Sequence, residues 1–237
     1  MCGRYVSPEV AAMEREYHLG RSDAGQLFRN VESYSPSFNL APSQDVPVIR
    51  VVRDVEGRRE AMLMRWGLVP HWAKGEIPKY HTFNCDIARI ETAASWRGPW
   101  KRGQRCIMPA MGFYEWHVLP DGTKLPYFIR PVTDSTFAIA ALWDESINAV
   151  GESLFSAAII TMPANELMAK IHNTKMRMPA ILLPEDVDTW LSGPIGDAKA
   201  VLKQFPSQEM VAWPVSKAVN SARNQGPELI LAADVAN

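Results

Sequence analysis

The sequence predicts an α+β fold built around a partly closed β-barrel with flanking short helices, and three observations carry that reading. Residues 136–143 and 154–162 are near-continuous apolar runs, the pattern of strands buried on both faces. Shorter strand-like runs, punctuated by turn residues, recur through the rest of the chain. Stretches with helical periodicity are few and short, and no repeat, low-complexity tract or linker divides the 237 residues, so 1–237 reads as one domain.

In chain order, Ser7-Pro8-Glu9 reads as a helix start, with Ser as N-cap and Pro at the first helical position. Val10, Met13 and Tyr17 give that helix one apolar face. Residues 20–37 are polar and read as loop. Residues 46–52 are β-branched and read as a strand, turned by Asp54-Val55-Glu56-Gly57 into a return strand over 60–65. Trp66-Gly67-Leu68-Val69-Pro70-His71-Trp72 is a stiff aromatic loop, either core packing or a stacking surface for bases. Residues 84–96 carry weak helical character. Trp100-Lys101-Arg102-Gly103-Gln104-Arg105 is a basic run, a solvated face or a phosphate-binding strip. Residues 106–109 read as a buried strand. Gly112-Phe113-Tyr114-Glu115-Trp116 and residues 126–130 form a hairpin across Pro120-Asp121-Gly122-Thr123. Alternation along that strand slightly favours a solvent-facing Glu115 over a buried one. A helix over 163–171 ends at His172, a junction flanked by Lys175 and Arg177. A strand over 180–183, helices over 184–191 and 197–204, and a strand over 210–215 complete the order.

Composition bounds the function. With 47% hydrophobic and 22% charged residues, the chain has the make-up of a soluble globular protein. No apolar run reaches membrane-spanning length, and charge begins at Arg4, so no secretory signal pattern opens the sequence. The expected location is cytoplasmic, and the expected state a monomer. Cys2, Cys85 and Cys106 form no Cys-x-x-Cys pair and no histidine pair has zinc spacing, so neither a disulfide framework nor a metal or other cofactor is expected. A net charge of −1 argues against coating nucleic acid by bulk charge and leaves room for a local basic groove.

Met1-Cys2-Gly3-Arg4 is the most reactive stretch. Removal of Met1 leaves Cys2 with an amine and a thiol on adjacent carbons. Such an aminothiol condenses with an aldehyde to an imine, and the thiol then closes a five-membered thiazolidine. An α-amine titrates near about 8, against about 10.4 for lysine, so more of it is nucleophilic at neutral pH. The same thiol also suits acyl transfer beside a base, and the bland alternative is an inert residue in a frayed terminus.

Several segments carry a resemblance together: Met-Cys-Gly-Arg at the start, Phe38-Asn39-Leu40-Ala41-Pro42, Trp66-Gly67-Leu68-Val69-Pro70, Asn84, Gly112-Phe113-Tyr114-Glu115-Trp116, Ile171-His172, Arg177-Met178-Pro179 and Asn224-Gln225-Gly226-Pro227-Glu228-Leu229. In this order they resemble the SOS-response-associated peptidase (SRAP) family, the abasic-site processing proteins. The resemblance implies a single SRAP domain and a substrate of single-stranded DNA containing an abasic site, joined covalently to Cys2. It implies catalytic roles for Cys2, Asn84, Glu115 and His172. The carried-over roles are a proton relay through His172 and Glu115, and hydrogen bonding to the terminus or sugar by Asn84. Arg4, Arg89, Arg105 and Arg177 are candidate phosphate contacts, with Trp72 and the loop from Asn39 to Pro42 stacking or wedging where the base is missing. Two departures stand out. Cys85-Asp86 follows Asn84 where the family has Ala-Arg, and the stretch after His172 displaces Arg177. The imine also permits weak lyase chemistry by β-elimination. Two rivals stay open: a thiol peptidase of N-terminal-nucleophile type that removes its own Met1, and a non-covalent binder of single-stranded or modified DNA.

Overall fold

The structure, a computed structural model, describes residues 2–19, 28–29, 34–52 and 58–233. Met1, most of the loop expected over 20–37 and the turn expected at Asp54-Val55-Glu56-Gly57 lie outside the described residues. The elements in order are β1 (Tyr5–Val6), α1 (Val10–Tyr17), β2 (Phe28–Arg29), β3 (Asp45–Val51), β4 (Arg59–Trp66), β5 (Asn84–Asp86), α2 (Arg97–Lys101), β6 (Arg105–Ala110), β7 (Gly112–Val118), β8 (Lys124–Pro131), β9 (Phe137–Ile147), β10 (Ser153–Pro163), α3 (Glu166–Ile171), β11 (Arg177–Pro179), β12 (Ile181–Leu182), α4 (Val187–Ser192), α5 (Ile195–Ala200) and β13 (Met210–Pro214).

The apolar runs at β9 and β10 are buried because each is flanked by neighbours inside a ring. β4, β3, β6, β9 and β10 pair in that sequence, and β10 returns to β4 through the parallel pairs Ser156–Arg65 and Ala157–Trp66. The barrel is therefore closed, where the sequence reading expected partial closure. Ala141 and Ala157 share one face of the ring with Val46, Val48, Met62, Met64 and Ile159, while Ala140 and Ala158 share the other with Ile49 and Ile107. All are buried, so small side chains are used on both faces of the tightly curved strands.

A second, antiparallel sheet of order β1-β7-β8-β13 packs beside the barrel and carries the chain start. Phe113 joins the main core, while its neighbour Tyr114 joins a smaller cluster with Val6, Phe128, Val215 and Val219. Both faces of β7 are thus covered. Gly112 lets β7 approach β8, since a Cβ there would lie 2.5 Å from the Ile129 carbonyl oxygen.

Two local expectations fail for identifiable reasons. The helix expected over 84–96 gives way to β5, a 3₁₀ turn over Ile87–Arg89 and further turns. Asn84, Cys85 and Asp86 pair in parallel with Ile159, Ile160 and Thr161, and the Asp86 carboxylate caps the turn by accepting from Ala88 N at 3.0 Å. Ser7 does not cap α1, whose N-cap is Glu9; its hydroxyl accepts from Ser37 N at 3.0 Å instead. Among the described residues, no helix is long and apolar enough to cross a membrane.

Burial also sets an alkaline limit. The Cys2, Cys85 and Cys106 thiols and the Tyr5 and Tyr17 phenols are pushed well up by desolvation, and Tyr34 is pushed up to about 12. These groups stay neutral in the fold but ionise in the unfolded chain above about 8.5 for thiols and about 10 for phenols. The native state therefore holds more protons at high pH, and its stability falls as pH rises through that window. Urea midpoints should match between pH 6.5 and 8 and drop clearly at pH 10.5. A flat profile to pH 10.5 would mean that these side chains ionise without unfolding.

Candidate functional site

The chain start is ordered from both sides. Tyr5 and Val6 pair with Phe113 and Gly112, and Tyr5 exchanges backbone hydrogen bonds with Leu40 at 3.2 and 2.9 Å. This places Cys2 inside the protein, 1% exposed, its thiol donating weakly to the Arg4 carbonyl at 3.9 Å. Asn84, at the start of β5, donates from Nδ2 to the Cys2 carbonyl at 2.9 Å. The Asn84 Oδ1 is buried and has no hydrogen-bond partner among the described residues, an open acceptor on the side chain that holds Cys2.

Glu115 is 3% exposed, not solvent-facing as alternation favoured. The reason is that β7 is covered on both sides. Glu115 shares its face with Phe113, which looks toward the barrel. Burial pushes the Cys2 thiol well up from its ordinary range, and the nearby Glu115 carboxylate pushes it further. His172 ends α3, its N–H bonded to the Met168 carbonyl at 2.7 Å. The ring Nδ1 lies 2.9 Å from the Arg177 carbonyl and 3.8 Å from Glu115 Oε1. A carbonyl can only accept, so Nδ1 carries a proton, which leaves Nε2 as the ring nitrogen that can take up or give one. Asn84, Cys2, Glu115 and His172 thus form one chain of neighbours, drawn from four separate segments.

Beside them opens a cavity of about 420 Å³ lined by Glu115, Trp116, His172, Lys124, Lys175 and Asn220, among others. A larger cavity of about 590 Å³, between Tyr17, Phe137, Leu182 and Phe205, contains none of the four residues. Among the described residues, no group of three or more His, Cys, Asp or Glu side chains is placed to hold a metal ion.

The candidate DNA contacts divide. Trp72 is 49% exposed and Arg89 is exposed on the 3₁₀ turn, so both are available, and Pro42 is half-buried in a turn. Asn39 is fully buried and cannot wedge into DNA. Its Nδ2 donates to the carbonyls of Val219, Ser221 and Asn224, and its Oδ1 accepts from Arg4 at 3.1 Å. Arg4 also donates to the carbonyls of Val219 and Asn220, at 2.8 and 3.1 Å, and so staples the start to residues 219–220. Arg105 is buried against Gly193 and Trp190, which removes it from any strip formed by the basic run. Arg177 is turned inward onto Asp86 and Thr161. Lys124 was missed by the sequence reading; the hairpin register that pairs it with Val118 was the available signal.

Asn39→Ala should cost about 2–3 kcal/mol, since several hydrogen bonds vanish and buried carbonyls are left without donors. Urea denaturation measures the loss; a change under about 0.5 kcal/mol, the range of ordinary surface substitutions, would show that Asn39 does not anchor the 219–224 segment.

Comparison with known proteins identifies the family. The family model described as SOS response associated peptidase (SRAP) matches residues 1–222. The chain is 35% identical to "Abasic site processing protein YoqW" of Bacillus subtilis, over 97% of this chain and 99% of that protein. It is 32% identical to "Abasic site processing protein HMCES" of Rattus norvegicus, over 99% of this chain and 77% of that protein. A crystal structure of a protein from Bacteroides thetaiotaomicron superposes with a TM-score of 0.80 at 26% identity, covering 98% of this chain and all (100%) of that one. With the family model spanning nearly the whole chain, and the four converging residues lying within its matched span, this protein belongs to the SOS response associated peptidase (SRAP) family.

Proposed function

We propose that this protein processes abasic sites in single-stranded DNA by linking the lesion covalently to Cys2 once Met1 has been removed. The observation that carries the reading is the convergence of Cys2, Asn84, Glu115 and His172, of which Glu115 and His172 line one cavity. The names of the relatives, abasic site processing proteins, support the substrate.

The chemistry follows from the groups present. The freed amine of Cys2 adds to the C1′ aldehyde of the ring-opened sugar. Proton transfer to the resulting hydroxyl expels water and leaves an imine. The thiol then adds to the imine carbon, its proton passing to nitrogen, and the thiazolidine closes. Asn84 Oδ1 is suited to accept from the amine. Glu115 and the Nε2 of His172 are suited to carry the protons. A thiol held protonated by burial and by the Glu115 carboxylate counts against a thiolate attacking an amide first, and supports the order in which the amine attacks. The imine also acidifies the C2′ proton, whose removal would expel the 3′ phosphate, so weak lyase activity belongs to the same reading. Arg89, Trp72, Lys124 and Lys175 are proposed to bind the strand, and a small groove predicts weak, salt-sensitive affinity for undamaged DNA.

Intact-mass analysis after mixing with abasic single-stranded DNA tests the reading. Wild type should show one heat-stable adduct lacking Met1, and Cys2→Ala none. An adduct of normal yield on Cys2→Ala would overturn the assignment. Glu115→Gln should slow single-turnover crosslinking by about 10²-fold or more while leaving DNA affinity intact; loss of affinity in proportion to rate would make Glu115 a structural carboxylate.

A further inference from the structure

The two places where the sequence departs from its family pattern meet in space. Asp86 Oδ2 accepts from Arg177 Nη1 at 2.8 Å. Arg177 Nη2 also reaches Thr161 Oγ1 at 2.9 Å and the Thr161 carbonyl, so its guanidinium lies across β10 and joins β11 to β5.

Each end of this link leads to a catalytic residue. On β5, alternate residues share a face, so Asp86 stands with Asn84 while Cys85 turns into the core. Asn84 holds the Cys2 carbonyl. On β11, Arg177 supplies the carbonyl that holds Nδ1 of His172. The neighbouring pair, Ala164 and Met176, is the hydrogen-bonded one at 2.9 Å. Antiparallel alternation then turns the Arg177 carbonyl away from β10, free to serve the imidazole. Between His172 and Arg177 runs a turn whose Thr174, Lys175 and Met176 are exposed, with Met176 at φ 47. The turn is tied at Asn173, which exchanges hydrogen bonds with the Val118 backbone at 3.0 and 2.9 Å, and at Met176, whose N–H donates to the His172 carbonyl at 2.9 Å. The inward anchoring of the Arg177 side chain adds a further limit on how far the Arg177 carbonyl can move.

We propose that Asp86 and Arg177 form a positioning pair for His172. The pair fixes the Arg177 carbonyl, the carbonyl fixes the Nδ1–H tautomer, and Nε2 is kept as the basic nitrogen of a ring that lines the cavity. The same β5 face thereby sets both the terminus, through Asn84, and the proton carrier, through Asp86. This rests on the proposed role of His172 in proton transfer.

Asp86→Asn keeps the shape and the oxygen that caps the 3₁₀ turn while removing the charge that holds Arg177. Two measurements follow. In DNA-free protein, ring ¹⁵N spectra of His172 should show one Nδ1–H tautomer in wild type and a mixture in Asp86→Asn. In single-turnover crosslinking, Asp86→Asn should slow the reaction about 10-fold, the lower range for a residue that orients a functional group, without weakening affinity for abasic single-stranded DNA. The same substitution should add nothing in a His172→Gln background, because a residue acting only through His172 has no effect once the imidazole is gone. Arg177→Met breaks the pair from the other side, and Arg177→Lys, which keeps the charge, should restore part of the rate, so failure of one variant to fold leaves the comparison intact. An unchanged His172 spectrum, or equal slowing of wild type and His172→Gln by Asp86→Asn, overturns the pair. Absence of any adduct with wild type overturns the proposed function instead, and the ¹⁵N comparison still decides the pair.

Discussion

The site depends on keeping a chain terminus still. Ends of chains fray, because the last residues give up few contacts by leaving. Ordering residues 2–6 costs about 1–2 kcal/mol each, and a hydrogen bond returns only about 1 kcal/mol net. Backbone pairing with β7 and Leu40 therefore does not suffice, and burial of Cys2, Tyr5 and Val6 supplies the rest. Arg4 adds a tie of another kind, gripping two carbonyls near residue 220 and the side chain of Asn39. A charge that the sequence suggests for phosphate is thus used to fasten the reactive end to the distal part of the chain.

The same burial that holds Cys2 decides its chemistry. A thiol in a dry pocket beside a carboxylate is a poor thiolate. It suits a second step, adding as a neutral group to an imine already formed. In the proposed reaction Glu115 would serve both steps, since its carboxylate discourages ionisation of the thiol and could accept a proton in imine formation. The price of this arrangement is a buried carboxylate and a buried imidazole 3.8 Å apart, stable because each is embedded in hydrogen-bonding or ionic contacts.

Much of the barrel was legible because its strands are apolar on both faces, and a continuous run such as Phe137 to Trp143 is hard to place elsewhere. Cys2, Asn84, Glu115 and His172, which the structure brings together, stand in motifs the sequence displays, but their surroundings were not legible there. Glu115 was misplaced because period-two alternation assumes one wet face, and β7 has none. β5 went unseen since three residues, one of them an aspartate, carry no β signal; its existence rests on parallel pairing with β10, which is non-local. Asn39 and Arg105 looked like DNA contacts because residue type was all that could be read. Burial of a polar side chain is a property of what folds over it: the 219–224 segment for Asn39, and Trp190 for Arg105.

Asp86 shows how a charge can be wrong for a ligand and right for a site. Beside a phosphate-binding face, an isolated carboxylate would repel the strand. Here Arg177, drawn inward, answers it within 2.8 Å, so at the distance of a bound backbone the two act as a dipole and not as a net negative charge. The cost is that neither Arg177 nor residue 86 is left to grip phosphate. In the proposed function that work would fall to cations that have no ion-pair partner among the described residues: Arg89 three residues on, and Lys124 and Lys175 at the rim of the cavity. On the proposed reading, the exposed cations would hold the strand while the inward pair orients the imidazole.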